Sequence, residues 1–230
     1  MEDDEENGLI IDFEYDVKLI RLINNTFVSS TLMIRAELIP LVEKPNHDEF
    51  DISLSKCKFW LDTVFSKSIA MFRGNEVGIK MLFDENGTNK CSNYVMLTPF
   101  EPTDDHIACL LQSKLSALAG NEFTFGSIRI KSDSASGLIF RFVGDSDDFL
   151  PDMKEWIGER TYFDEPWWNR DDISTLDVIP SEDADLSVKP SWASNLDFLT
   201  NVMRGDKPSS DVVVRPDFKP RIIKGGDDEK

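Results

Sequence analysis

Ile11-Asp12-Phe13-Glu14-Tyr15-Asp16-Val17-Lys18-Leu19 is the stretch that decides the reading of the fold. Within residues 9–23, Ile11, Phe13, Tyr15, Val17 and Leu19 share one parity, and Asp12, Glu14, Asp16 and Lys18 the other. A period of two held this long means a strand with one face on a core and one in water. Asn24-Asn25 begins a turn, after which Leu32, Ile34, Ala36 and Leu38 alternate with Met33, Arg35 and Glu37. The two runs predict a long antiparallel hairpin whose second strand closes at Pro40.

Further along, Trp60, Leu61, Val64, Phe65, Ala70 and Phe72 recur at helical spacing. They predict a helix over 55–73, capped by Ser55 and stopped by Gly74. A second hairpin is expected from strands at 78–83 and 91–98 around Asp84-Glu85-Asn86-Gly87. The best-marked helix is 104–119. Thr103 stands at its N-cap, Asp104 and Asp105 at the positive end of its dipole, and Gly120 just past its end. Ile107, Leu110, Leu111, Leu115 and Leu118 give it one apolar stripe. Strands at 123–131 and 137–143 follow, turned at Ser132-Asp133-Ser134. The fold class read from this order is α+β: an antiparallel sheet of long hairpins, two main helices packed on one face, and an extended C-terminal arm.

The composition changes after Val143. Residues 144–230 hold seven of the eleven prolines, four of the five tryptophans, and 21 acidic against 11 basic side chains. The domain reading is therefore an acidic tail at 1–8, an α+β domain at 9–143 and a Trp/Pro-rich acidic arm at 144–230. Within the arm, Met153–Arg160 is long enough for two helical turns. Ser191 caps a short helix near 191–204, lined by Trp192, Leu196, Leu199 and Met203. Pro216 and Pro220 keep the last piece extended. Composition this polar argues for disorder. Four large aromatic anchors argue for an arm that orders on a surface, either by wrapping its own domain and adding to its core or by docking on a partner or sister subunit, with loose stretches such as Asp177–Asp185 between the anchors.

The chain has 230 residues and a formal net charge of −18, with a pI near 4.4. Such a surface repels phosphates, so direct binding of nucleic acid or of an anionic membrane is not expected. No apolar run approaches the ~20 residues that span a bilayer. The three cysteines, Cys57, Cys91 and Cys109, follow no disulfide framework, and the acidic Met1–Glu6 is the opposite of a secretory leader. A cytoplasmic location is expected.

Chemistry-bearing constellations are few. His47 and His106 are the only histidines. His106 and Cys109 sit three apart on one helix, the right spacing for a shared metal, but Cys57 and Cys91 would have to complete the set. Cys109 lies too late in its helix for the dipole to activate it. Asp12, Glu14 and Asp16 share a strand face, as metal-binding carboxylates do and as any solvated strand face does. Asp145-Ser146-Asp147-Asp148 suits a hard cation or a surface turn. No phosphate-loop, dinucleotide or hydrolase motif occurs. No cofactor is expected.

Pro102-Thr103-Asp104-Asp105-His106-Ile107-Ala108 is similar to the start of the second helix in the 6-pyruvoyl- and 6-carboxy-tetrahydropterin synthases. The order hairpin, helix, helix, hairpin over 9–143 resembles their tunnelling fold. The expected hairpin at 78–98 departs from that pattern. So does the chemistry: the family holds zinc through three histidines and moves protons with a Cys, an Asp and a His. No histidine stands on the first two strands here, so none of those roles transfers. The resemblance implies the fold without the activity.

The functional expectation is a non-catalytic interaction or assembly subunit, which docks on a protein partner or a sister subunit in a homo-oligomer. The docking residues would be the arm's aromatics and their neighbours: Tyr162, Phe163, Trp167, Trp168, Trp192, Leu196 and Leu199. Two other classes stand beside it. One is an acidic inhibitor that mimics nucleic acid. The other is an enzyme, either metal-dependent at Asp12, Glu14 and Asp16 or a degenerate tunnelling-fold protein.

Overall fold

The computed structural model describes residues 10–42, 46–85, 89–180 and 182–187. The expected acidic tail and the helix near 191–204, with Trp192, Leu196 and Leu199, lie outside those residues.

The opening hairpin forms as its alternation requires. Strand β1 (Ile11–Ile23) pairs antiparallel with β2 (Thr26–Pro40) over its whole length. Asn24 and Asn25 carry φ of 49° and 60°, the paired left-handed conformation of the two-residue turn that matches strand twist. Phe13, Val17 and Leu19 are buried with Leu32, Ile34, Ala36 and Leu38, while Asp12, Glu14 and Asp16 face water.

Six strands form one sheet in the order β4-β3-β1-β2-β5-β6. Strands β5 (Phe123–Ser132) and β6 (Phe140–Val143) continue the antiparallel half. The other half is parallel: β3 (Ser68–Phe72) runs along β1, and β4 (Tyr94–Thr98) along β3. The expected all-antiparallel sheet is thus corrected to a mixed one.

Two misread segments account for this. Helix α1 spans His47–Thr63 rather than 55–73, and Asn46 caps it by accepting the Asp48 N–H at 3.1 Å. Ile69, Ala70 and Met71 then form a strand buried on both faces. A short apolar run of that kind has no alternation to separate it from a helix turn. The second hairpin is replaced by a crossover. Glu76–Leu82 is helix α2, capped by Asn75 through the Gly78 N–H at 2.8 Å, and it carries the chain from β3 to the parallel β4. Of the expected pairing only the bridge Phe83–Asn89 is present among the described residues.

Helix α3 spans Asp104–Ala119 as its stripe predicts, with Gly120 at φ 66° beyond it. α1 packs against α3, where the Cys57 thiol donates to the Leu115 carbonyl, and against the start of β5, where the Phe50 and Phe123 rings lie 4.6 Å apart. A charged pair is sealed in the same layer. Arg21 donates to Asp104 at 2.5 Å and to the Ser30 and Ser134 hydroxyls at 2.7 Å.

The core does not end at Val143–Gly144. Leu150, Met153, Trp156, Phe163, Trp167 and Trp168 belong to it, and both Trp167 and Trp168 are 0% exposed. The first part of the expected arm is therefore part of the domain. Its area explains why: each Trp buries roughly 150–250 Å², which outweighs the ordering of a short polar segment.

Candidate functional site

The segment after β6 binds the sheet's β4 edge. An unpaired edge leaves a row of backbone groups unsatisfied, and here the segment satisfies them. The Leu97 N–H donates to the Thr175 carbonyl at 2.9 Å. Thr175 Oγ1 donates to the Val95 carbonyl at 2.8 Å, and Trp167 Nε1 to the Leu97 carbonyl at 2.9 Å.

A buried polar knot fixes that geometry. Asp177 accepts from Trp156 Nε1 at 3.0 Å, the Trp167 N–H at 2.9 Å and Arg170 at 2.7 Å. Arg170 also donates to Asp172 and Ser174, and its guanidinium lies 3.8 Å over the Phe163 ring. Lys114 reaches the knot from α3, donating to the Trp167 carbonyl at 2.8 Å and the Arg170 carbonyl at 2.7 Å, with Asp172 at 3.7 Å. Burial pushes the Lys114 ammonium down to about 7, against the pull of Asp172. Burial also raises the Asp172 carboxyl, but Lys114, Arg170 and the Ser174 bonds outweigh it and hold Asp172 below the usual carboxylate range.

The expected docking residues that are described, Tyr162, Phe163, Trp167 and Trp168, are thus largely spent inside the domain. Trp167 and Trp168 are enclosed, Phe163 is buried, and Tyr162 is half-buried. Asp177, expected to open a loose stretch, is the knot's central acceptor.

The same segment builds a cleft of about 730 Å³. Its floor is the turn leaving β3 (Phe72, Arg73, Gly74) and the turn leaving β4 (Pro99, Phe100). Carboxyl ends of adjacent parallel strands are where open sheets commonly receive ligands. The facing wall is Asp147–Pro151 with Glu155 and Trp156 of α4 (Met153–Trp156). Phe149 and Phe100 are 60% and 40% exposed, a large apolar area left open to water. Phe149 meets Phe142 edge-on at 5.4 Å, and Phe100 stacks on His106 at 4.9 Å, so both rings are held in place. Asp147, Asp148 and Glu155 give the rim three carboxylates. Arg73 donates to the Trp156 carbonyl and lies 4.9 Å over its ring. Burial lowers the Arg73 guanidinium, with Asp177 opposing.

Of the strand carboxylates, Asp12 and Glu14 line one polar groove with Arg35, Glu37 and Arg129, and Asp16 is not among its lining residues. Glu14 pairs with Arg35 at 3.1 Å on the wet face of the sheet. Asp12 stands opposite Glu37, and Asp16 opposite Met33. Among the described residues no group of three or more His, Cys, Asp or Glu is placed to hold a metal ion. Cys109 is buried, and burial with Asp147 nearby pushes its thiol up to about 12, away from the nucleophilic thiolate. Burial does the same to Cys57. His106 Nδ1 lies 2.9 Å from both Thr103 Oγ1 and the Glu101 carbonyl. No helix among the described residues is long and apolar enough to cross a membrane.

Sequence reading missed the cleft because it forms only when β3 and β4 are parallel. It also missed Lys114 and Arg21, although a signal was there. Lys114 is four residues from Leu110 and from Leu118, within the apolar stripe, and Arg21 has the parity of the buried face of β1.

No protein-family model matches the chain, and no curated protein does. Among solved structures it is similar to the crystal structure of the uncharacterized protein WS1659 from Wolinella succinogenes. The likeness covers 60% of this chain and 100% of that one, at 12% identity and a TM-score of 0.39.

Proposed function

We propose that this chain is a non-catalytic interaction subunit that holds a short extended peptide in the cleft between the β3 and β4 ends and the 147–156 wall. The observation that carries this reading is the cleft's chemistry. Aromatic rings and prolines line it, and three carboxylates rim it. Aromatic grooves of this kind suit proline-containing segments, which lose little entropy on binding. The carboxylate rim selects basic over acidic ones. Docking through Trp167 and Trp168 is set aside, because both are consumed by the domain's own core.

A tunnelling-fold relationship without its catalysis belongs to the same proposal. With β3, α2 and β4 set apart, the order strand, strand, helix, helix, strand, strand supports it.

The test is a titration of the full chain with a basic proline-containing peptide at up to millimolar concentration, followed by amide NMR shifts. Shifts should concentrate at 72–74, 99–100 and 147–156. An acidic peptide of the same proline spacing should give none. Shifts scattered over the sheet's wet face, or none at all, would remove the cleft from consideration.

A further inference from the structure

The cleft's chemistry has a match within this chain. Residues 215–224 read Arg-Pro-Asp-Phe-Lys-Pro-Arg-Ile-Ile-Lys: four cations against one anion in a protein of net charge −18. They also supply two prolines, a phenylalanine and two isoleucines. This is the composition that aromatic walls and a carboxylate rim would recognise.

We propose that the chain's own Arg215–Lys224 segment docks in the cleft and competes there with outside peptides. The inference rests on the peptide-binding reading of the cleft. In composition its four cations complement the Asp147, Asp148 and Glu155 carboxylates of the rim, and its phenylalanine and prolines complement the aromatic walls.

Two features of the described chain favour an intramolecular occupant. The first is where it leads. Arg160 donates to the carbonyls of Glu182 at 2.6 Å and Ala184 at 3.0 Å. That places the outgoing chain beside the residue four positions beyond Trp156, which lines the cleft. The second is reach. Residues 188–214 separate the last described residue, Ser187, from Arg215. A tether of that length spans roughly 30 Å on average and about 90 Å when extended. A domain of this size is about 40 Å across. Tethers in this range give effective concentrations on the order of 1 mM. A segment of about 0.1 mM intrinsic affinity would therefore occupy the cleft most of the time and weaken an outside peptide about tenfold.

The experiment uses the full chain and two readouts. Carbodiimide treatment of dilute protein should join Lys219 or Lys224 to Asp147, Asp148 or Glu155 within one molecule, and the links should vanish on Asp148→Lys with Glu155→Lys. A synthetic peptide of residues 213–224 is then titrated against wild type and against the chain carrying Arg215→Glu, Lys219→Glu, Arg221→Glu and Lys224→Glu. The reversed chain should bind it about tenfold more tightly. Links found only between two molecules would overturn the intramolecular occupant in favour of a second copy's segment. Equal affinity in both chains would overturn the inference and leave the peptide cleft standing. No binding by either chain would overturn both.

Discussion

Trp167→Ala should cost this protein a large share of its folding free energy. Its indole is 0% exposed and sits edge-on to Trp168 at 5.5 Å, with the Lys114 ammonium 5.9 Å from the ring. A Trp buries roughly 150–250 Å², which at about 25 cal/mol per Å² is on the order of 4–6 kcal/mol as an upper bound. Measured truncations of buried aromatics run at about 3–5 kcal/mol. The substitution also removes the Nε1 donor to the Leu97 carbonyl, and a buried group left unpaired costs about 1–3 kcal/mol. The expected loss is about 4–8 kcal/mol, against a typical total of roughly 5–15. Trp167→Phe separates the two contributions, since it keeps most of the apolar area and loses only the donor; about 2 kcal/mol is expected. Urea unfolding followed by far-UV circular dichroism gives both numbers. A loss below about 1 kcal/mol for Trp167→Ala, with an unchanged m-value, would refute the reasoning. The segment after β6 would then be an ornament on a domain that ends near Val143.

Limited proteolysis should leave a resistant fragment running past Asp177, because the knot is buried; dominant early cuts between 144 and 170 would contradict that. Asp177→Asn removes the charge facing Arg170 and turns one acceptor oxygen into a donor, so a loss of about 3 kcal/mol is expected in the same unfolding assay; a loss under 1 kcal/mol would mean the knot is not what holds the segment. Lys114 supplies a pH signature. Its folded value near 7 lies below the ordinary ~10.4, so between those limits the unfolded chain binds a proton that the folded one does not, and stability rises with pH. The wild-type minus Lys114→Met stability difference should therefore climb from about pH 7 to 10, and parallel curves would show the ammonium unperturbed.

Legibility in the sequence followed the length of each pattern. β1, β2 and α3 repeat their period often enough that packing could only agree with it. β3 and β4 have five residues each, and α2 has seven. At that length a strand buried on both faces and a turn of apolar helix look alike. The sheet's parallel half was lost with them, and so was the cleft at its carboxyl ends. The aromatic run Tyr162–Trp168 reads as an anchor from its composition alone, but its target is not visible in the sequence. Nothing local says that Asp177 accepts from Trp156 and Trp167, because the contact is made by the turn of the chain between them. Lys114 and Arg21 were readable in principle. A charge in the register of an apolar face implies a buried partner, and the partners are Asp172 and Asp104.

The most direct test of the central claim is the affinity of the 213–224 peptide for the chain with its own segment charge-reversed, measured with and without Phe149→Ala. Phe149 is 60% exposed on the cleft wall, so its removal should leave the unfolding curve close to that of its parent. Loss of an aromatic contact at the centre of a small interface is worth about 1–2 kcal/mol, and the dissociation constant should rise about tenfold. An unchanged dissociation constant in a chain that unfolds as its parent does would mean that the cleft is not where this protein binds.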